Sequence, residues 1–337
     1  MRVIAGLDIG GAHCKAARLE DGRLTAVEQL PCPLWLGLGR LDAALEQLTH
    51  ITRDAGAVAL TMTAELTEIF DSREAGALAL IRHIDTAFAG RAHIYMGLNG
   101  FGDAQRAARD PLAVGSANFL ATAQAIAKLI PRALLIDMGS TTTDIIPCDR
   151  PQGLTDAERL QTGELVYTGY TRTPVPSVTT RAPLLGTWQT LARDAFATMA
   201  DVRRMLGSLR EDDDQHDTTD GRSKSLQDSL RRFARGFGRD GEMRHLEGWK
   251  VAAAYVDEVQ RRSIYDGAIQ VLSRPGLVVD TTVAAGIGWP LVAAISGSLT
   301  AATTTFGKLT GAPEHLQTVA TCFAPAVAVA LALHWRP

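Results

Sequence analysis

Two stretches of this chain repeat one pattern, and that repeat limits the fold more than any other feature. VIAGLDIGGAHCKAARL begins at Val3 and ALLIDMGSTTTDIIPC begins at Ala133. Overlaid at an offset of 129, Asp8 matches Asp137 and Gly10 matches Gly139. Each copy reads as an apolar strand, an acid, a glycine-containing turn and a second strand. That order predicts a β-hairpin rather than a strand-to-helix turn. Two copies with matching strands on both sides predict two similar α/β lobes. Between them the chain alternates: helix over 41–53, strand over 57–61, helix over 75–88, strand over 93–97 and helix over 116–130. The alternation predicts a layered α/β architecture.

The second half is less regular. TGELVYTGYTRTPVPSV mixes β-branched and aromatic residues with turn breakers and predicts strands with an extended loop. Apolar spacing predicts helices over 191–206, 225–233 and 248–260. GLVVDTTVAAGIGWPLVAAI predicts a strand, a glycine turn and a helix start, and the last twenty residues one apolar helix. The resulting division is a first lobe over 1–130 and a second over 131–337, with a helical insertion around 190–265.

Composition narrows the function classes. The 337 residues are 46% hydrophobic, enough for a sizeable core. A net charge of −3 gives no global pull toward nucleic acid or an anionic membrane. Cys14, Cys32, Cys148 and Cys322 are scattered with no CxxC pair, which argues against structural zinc and fits reduced thiols in a cytoplasm. Asp8 interrupts the N-terminal apolar run too early for a signal peptide. Pro325 breaks the apolar C-terminal run, so a buried helix is expected there rather than a membrane span.

The turns carry the chemistry. A carboxylate at a strand end beside a glycine turn can hold a divalent cation, and the turn's backbone N–H groups can hold phosphate. Lys15 adds a compact positive charge to the first turn. The second turn offers the hydroxyls of Ser140, Thr141, Thr142 and Thr143, and Asp144 stands where the first copy has Lys15. One loop is thus cationic and the other acidic, which suits a phosphate–metal complex held between two lobes. Either loop alone reads better as a plain hairpin turn with a satisfied polar residue. The two together with the later AAGIG, which contains Gly286, favour phosphate.

These motifs resemble a known superfamily. DIGGAHCK and DMGSTTTD are similar to the two phosphate loops of the ASKHA fold, the ribonuclease H-like fold of actin, hexokinase and the heat-shock chaperones. VAAGIG resembles its third, nucleoside-side loop. More narrowly, LDIGGAHCKAA, IDMGSTTTDIIP and TGELVYTGYTRTPV resemble the hydantoinase/5-oxoprolinase-related group. DQHDTTDGRSKSLQDSLRRFARGFGRD resembles its branch linked to tetrahydromethanopterin one-carbon transfer, whose archaeal relatives are methanofuran-biosynthesis synthases. The resemblance covers nearly the whole chain. It implies two lobes with a cleft between them, and a transferase that joins a furfuryl-type diphosphate to a phenol of tyramine or tyrosine origin, forming an ether and releasing diphosphate.

Under that resemblance Asp8 and Asp137 would hold Mg²⁺ directly or through water. Gly10, Gly11, Gly139, Ser140, Thr141 and Thr142 would cradle diphosphate, and Gly286 of the third loop would contact diphosphate or substrate. Lys15 would neutralise the diphosphate, and Asp144 would be the base or a second metal group. Whether ATP binds stays open, as do the acceptor phenol and the metal. The expected partners are small molecules rather than nucleic acid or membrane, and a homodimer is compatible with the sequence. The alternatives are an ATP-dependent kinase, a hydantoinase-like hydrolase, or a non-catalytic sensor of a phosphorylated ligand.

Further residues have two readings each. In GLNGFGD, Asn99 and Asp103 are either substrate contacts on a mobile loop or members of a plain turn. Glu164, Tyr167 and Arg172 are either a wall of the site, with Arg172 contacting an anion, or an amphipathic hairpin. Glu211–Asp214 read as a solvated acidic loop. His216, Asp217 and Asp220 read as that loop or as a cation or ammonium contact. Arg231, Arg232 and Arg235 read as a solvated helix face, and Cys14, beside His13, as a small loop residue.

Overall fold

The computed structural model describes residues 2–336. Its first sheet contains β1 (Val3–Ile9), β2 (His13–Glu20), β3 (Arg23–Pro31), β4 (Ala57–Met62), β5 (Ala92–Tyr95) and β6 (Phe101–Gly102) in the order β3-β2-β1-β4-β5-β6. The second contains β7 (Ala133–Met138), β8 (Thr143–Pro147) and β9 (Leu165–Val166). A separate two-stranded hairpin follows, β10 (Arg181–Leu184) and β11 (Thr187–Thr190). β12 (Thr281–Ala285) and β13 (Ala302–Thr305) complete the second sheet in the order β9-β8-β7-β12-β13.

Five strands of each sheet therefore share one topology. β1 lies between its antiparallel hairpin partner β2 and the parallel β4. β7 lies between its antiparallel partner β8 and the parallel β12. Every residue of β1 and of β7 is buried, which is why VIAGLDI and ALLIDM read as unbroken apolar runs rather than alternating ones. The expected duplicated ASKHA fold is what the chain adopts.

Two helices, Asn118–Leu129 and Ala324–His334, lie in the core that joins the two sheets. The second of them packs against β1, β2 and β4, so the chain's end returns to the first sheet. Gly6 makes this close approach possible: a methyl group there would sit 2.1 Å from the Ala326 carbonyl oxygen. The single C-terminal helix expected from the sequence is two, Glu314–Cys322 and Ala324–His334, bent by 106°. Pro325 lies in the first turn of the second, where its missing N–H and fixed φ suit a helix start and bar continuation of the first. Among the described residues no single helix is long and apolar enough to cross a membrane.

The insertion forms a third core around Val202, Leu230, Phe233 and Trp249. Its first helix runs only over Met199–Leu206, shorter than the expected 191–206, because Thr198 and Asp201 form a reciprocal capping box that starts the helix there. The expected strands in TGELVYTGYTRTPVPSV reduce to β9, and Pro174 and Pro176 fall in the following loop and short helix, where neither can serve a sheet ladder. Arg232 does not sit on a solvated face. It is fully buried and donates to Asp201 at 2.7 Å and to Asp220 at 3.0 Å. Glu211 and Asp214 are likewise not free in solvent, since both accept from Arg204.

Candidate active site

The two hairpin turns face one cleft of about 430 Å³, a size usual for small-molecule sites. Each turn is built the same way. In the first, the Gly10 amide donates to the His13 carbonyl at 2.9 Å, and the carbonyls of Gly11 and Ala12 accept from the amides of Leu34 and Cys32. In the second, the Gly139 amide donates to the Thr142 carbonyl at 2.9 Å, and the carbonyls of Gly139 and Ser140 accept from the amides of Tyr170 and Arg172. A neighbouring segment thus takes up the carbonyls of both turns. Among the described residues, the amides of Gly11, Ala12, Ser140, Thr141 and Thr142 donate to no protein acceptor. Rows of unpaired N–H groups on tight turns make concavities for anions.

The acids beneath the turns differ in their partners. Asp8 is 1% exposed, stands opposite Lys15 across the hairpin and accepts from Lys15 Nζ at 2.9 Å through Oδ2. Its Oδ1 is buried with no hydrogen-bond partner. Burial works against the Lys15 charge, but Asp8 and Asp137 hold the ammonium above its ordinary pKa. Asp137 stands opposite Asp144, a second carboxylate. Burial, then Asp144, push the Asp137 carboxyl up to about 7; Lys15 opposes the shift and Asp8 adds to it. Asp144 is paired with Arg159, whose guanidinium also donates to Asp156 at 2.8 Å and lies 3.9 Å from the centre of the Phe119 ring. Burial raises the Asp144 pKa while Arg159 opposes the rise.

This donor set fits a divalent cation. Asp8 offers a buried carboxylate oxygen without a donor, and a cation would offset the burial, and then the Asp144 repulsion, that raise Asp137. Mg²⁺ characteristically takes one or two carboxylates and completes its shell with water and phosphate oxygens. Among the described residues no group of three His, Cys, Asp or Glu side chains is arranged as a closed protein-only site.

The cleft gathers Gly10, Gly11, Lys15, Asp137, Gly139, Ser140, Thr141, Thr142, Asp144, Arg172 and Gly286, with Asp8 directly beneath Lys15. Gly286 has φ +77°, and a methyl group there would lie 2.4 Å from Asp137 Oδ1, so the third loop rests on the second acid.

Three expected residues stand elsewhere. The Asp103 carboxylate caps the helix Ala104–Arg109, accepting from the Arg106 amide at 2.7 Å. Asn99 donates to Asp110 at 3.5 Å, away from the cleft lining. Glu164 is fully buried. It accepts from the Gln152 and Gly153 amides at 2.8 and 2.7 Å and pairs with Arg274 at 2.6 Å, so it anchors a loop rather than forming a wall of the site. Cys14 is buried and its thiol is pushed up by burial, consistent with an inert strand residue. Sequence reasoning missed Arg159, Trp35 and Gly169. A methyl group on Gly169 would sit 2.3 Å from the Thr141 amide nitrogen, so this glycine lets residues 168–172 brace the second turn. The only signal for it was its place in TGELVYTGYTR.

A family model for hydantoinase/oxoprolinase matches residues 56–261. A Methanocaldococcus jannaschii protein named as the synthase of a gamma-L-glutamylaminoethyl-phenoxymethyl-furan methanamine is 33% identical over 245 residues, covering 72% of this chain and 73% of that one. The Methanococcus vannielii protein of the same name is 36% identical over 105 residues, 30% of this chain and 47% of that one. Among solved structures, nucleotide-free acetone carboxylase is similar with a TM-score of 0.51 at 11% identity, over 86% of this chain and 66% of that one. At that identity the likeness concerns the fold alone.

Proposed function

The chain belongs to the hydantoinase/oxoprolinase family, and from that premise we propose that it is a condensing enzyme that joins a furfuryl-type diphosphate to a phenol, with diphosphate as the leaving group. The product would be the ether of a methanofuran-like one-carbon carrier. The observation that carries this reading is the pair of turns with unpaired amides facing one cleft, one turn backed by Asp8 and Lys15 and the other by Asp137. It agrees with the ether-linked furan named for the archaeal relatives, one of which aligns with most of this chain.

Each part has a task in that reaction. The amides of Gly11, Ala12, Ser140, Thr141 and Thr142 bind the diphosphate and stabilise the charge that grows on it as the carbon–oxygen bond breaks. Lys15 supplies a cation from the first lobe. Asp8 and Asp137 would hold Mg²⁺, which when bound supplies further stabilisation of the departing charge. The furan oxygen supports positive charge on the exocyclic carbon, so bond cleavage runs ahead of attack. Asp144 is not the base in this scheme, because Arg159 already occupies it. Trp35, Leu66 and Tyr167 are exposed and line the cleft, an apolar surface suited to aromatic substrates.

Paired calorimetric titrations test the reading. With Mg²⁺ present, inorganic diphosphate should bind more tightly than ATP, and furfuryl diphosphate with tyramine should yield one ether and one diphosphate. Strong ATP binding with stoichiometric ATP consumption and no ether would replace this reading with a kinase or hydrolase.

A further inference from the structure

At one end of the cleft two imidazoles meet. His13 opens β2, and His216 lies on the insertion's loop after Asp214. Their ring centres are 4.4 Å apart at 66°, an edge-to-face contact. Trp35 lies 6.2 Å from His216, and the Arg172 guanidinium lies 5.8 Å from the Trp35 ring. Gln29 on β3 donates to Gln215 at 3.1 Å and ties this loop to the first sheet. Four distant segments therefore converge here. His13 is 8% exposed and lines the cleft, yet its Nε2 has no hydrogen-bond partner, and neither has Nε2 of His216. A buried nitrogen left unpaired costs about 1–3 kcal/mol unless a ligand supplies its partner.

Both rings are held neutral. Burial, then His216, Lys15 and Arg172, lower the His13 pKa to about 2. Burial, then Arg172, lower that of His216 to about 4, with Lys224 adding to the shift and Asp214 and Asp217 opposing it. A neutral imidazole offers one lone-pair nitrogen and one N–H. It accepts a hydrogen bond without placing a cation beside a carbon that is itself becoming positive.

We propose that His13, held edge-on by His216, receives the phenolic hydroxyl of the acceptor and takes its proton. The proposal rests on the furfuryl-transfer reading above. The carbon–diphosphate bond breaks with its electron pair leaving on diphosphate. A lone pair of the phenol oxygen forms the new bond to the exocyclic carbon, and the hydroxyl proton passes to the cleft-lining imidazole of His13. A weak base suffices, because a phenol oxygen bonded to that carbon is a strong acid until it loses its proton. The imidazolium then returns its proton to solvent or to the leaving diphosphate.

The test compares wild type with His13→Leu and His13→Gln, using tyramine and phenethylamine, which lacks the hydroxyl. Calorimetry in the presence of Mg²⁺ and diphosphate should show wild type preferring tyramine by about tenfold or more, as one hydrogen bond to a buried partner allows. His13→Leu should lose that preference and keep its diphosphate affinity. His13→Gln should keep part of the preference, because its amide oxygen accepts a hydrogen bond. Both should lose about 100-fold or more in ether formation at unchanged KM for the furfuryl diphosphate. Ether formation at the wild-type rate, or a retained hydroxyl preference in His13→Leu, would overturn the assignment and leave the transferase reading standing. Equal loss of diphosphate and tyramine binding in both variants would reduce His13 to a structural role and overturn it too. Absence of any ether from wild type would instead remove the transferase reading itself.

Discussion

Lys15 stands opposite Asp8 across the first hairpin and donates to it at 2.9 Å, so this turn carries its own counter-ion. The second hairpin puts Asp144 at the matching position, opposite Asp137. The repeat therefore preserves the backbone and inverts one charge. The first acid is neutralised by its cross-strand neighbour, whereas the second is raised toward neutrality by burial and then by its own neighbour.

Removing Lys15 should separate binding from stability. Lys15→Met leaves the buried Asp8 carboxylate without its cation, a loss of about 1–3 kcal/mol. Diphosphate affinity should fall at least tenfold. Asp8→Asn combined with Lys15→Met should restore much of the melting temperature and none of the affinity. Restored affinity in the double variant would show that Lys15 acts only through Asp8.

Asp137 gives a pH signature opposite to that of an ordinary ion-paired acid. Its folded pKa of about 7 lies above the ordinary carboxyl value of 3.8. Between those values the folded chain holds the extra proton, so stability falls as pH rises through the window. At pH 8, without divalent cation, the cost approaches the order of 4 kcal/mol at 1.36 kcal/mol per pKa unit. Asp137→Asn should therefore melt higher than wild type at pH 8, gain less at pH 4.5, and lose Mg²⁺-dependent diphosphate binding. A variant that melts lower than wild type at pH 8 would contradict this account.

Gly169 supports the second turn by having no side chain. A methyl group 2.3 Å from the Thr141 amide nitrogen must displace that turn. A shift of about 1 Å is enough to cost roughly 100-fold in rate. Gly169→Ala should lower kcat/KM by that order and also lower the melting temperature, since overpacking against backbone costs about 1–3 kcal/mol, and wild-type kinetics would rule out the bracing role.

Glu164 provides the contrasting case. Glu164→Gln weakens the pair with Arg274 and the two backbone contacts in a fully buried setting, at a cost of about 3 kcal/mol. Melting temperature should drop, while KM for both substrates stays near wild type in the folded protein. A selective rise in KM would return Glu164 to the site.

Much of this was legible before any coordinates. The two turns, their acids, Lys15 and the hydroxyl run were readable because a hairpin is written in about fifteen consecutive residues. Apolar strands show as runs, and tight turns demand small or polar residues. The same local logic located the alternating helices and strands of the first lobe. It failed at Asp103 and Glu164, where one carboxylate serves a helix cap and the other a buried arginine. A carboxylate in sequence carries no mark of its partner.

What the chain alone determined is the duplicated strand–turn–strand unit and the charges it presents, since those depend on neighbours a few residues away. Only the tertiary structure decided that Arg159 claims Asp144, that His216 crosses to meet His13, and that the last helix returns over Gly6 to the first sheet. Each of these joins residues brought together by packing, in which burial strengthens electrostatics and close approach depends on the shapes of both partners. No local pattern records either.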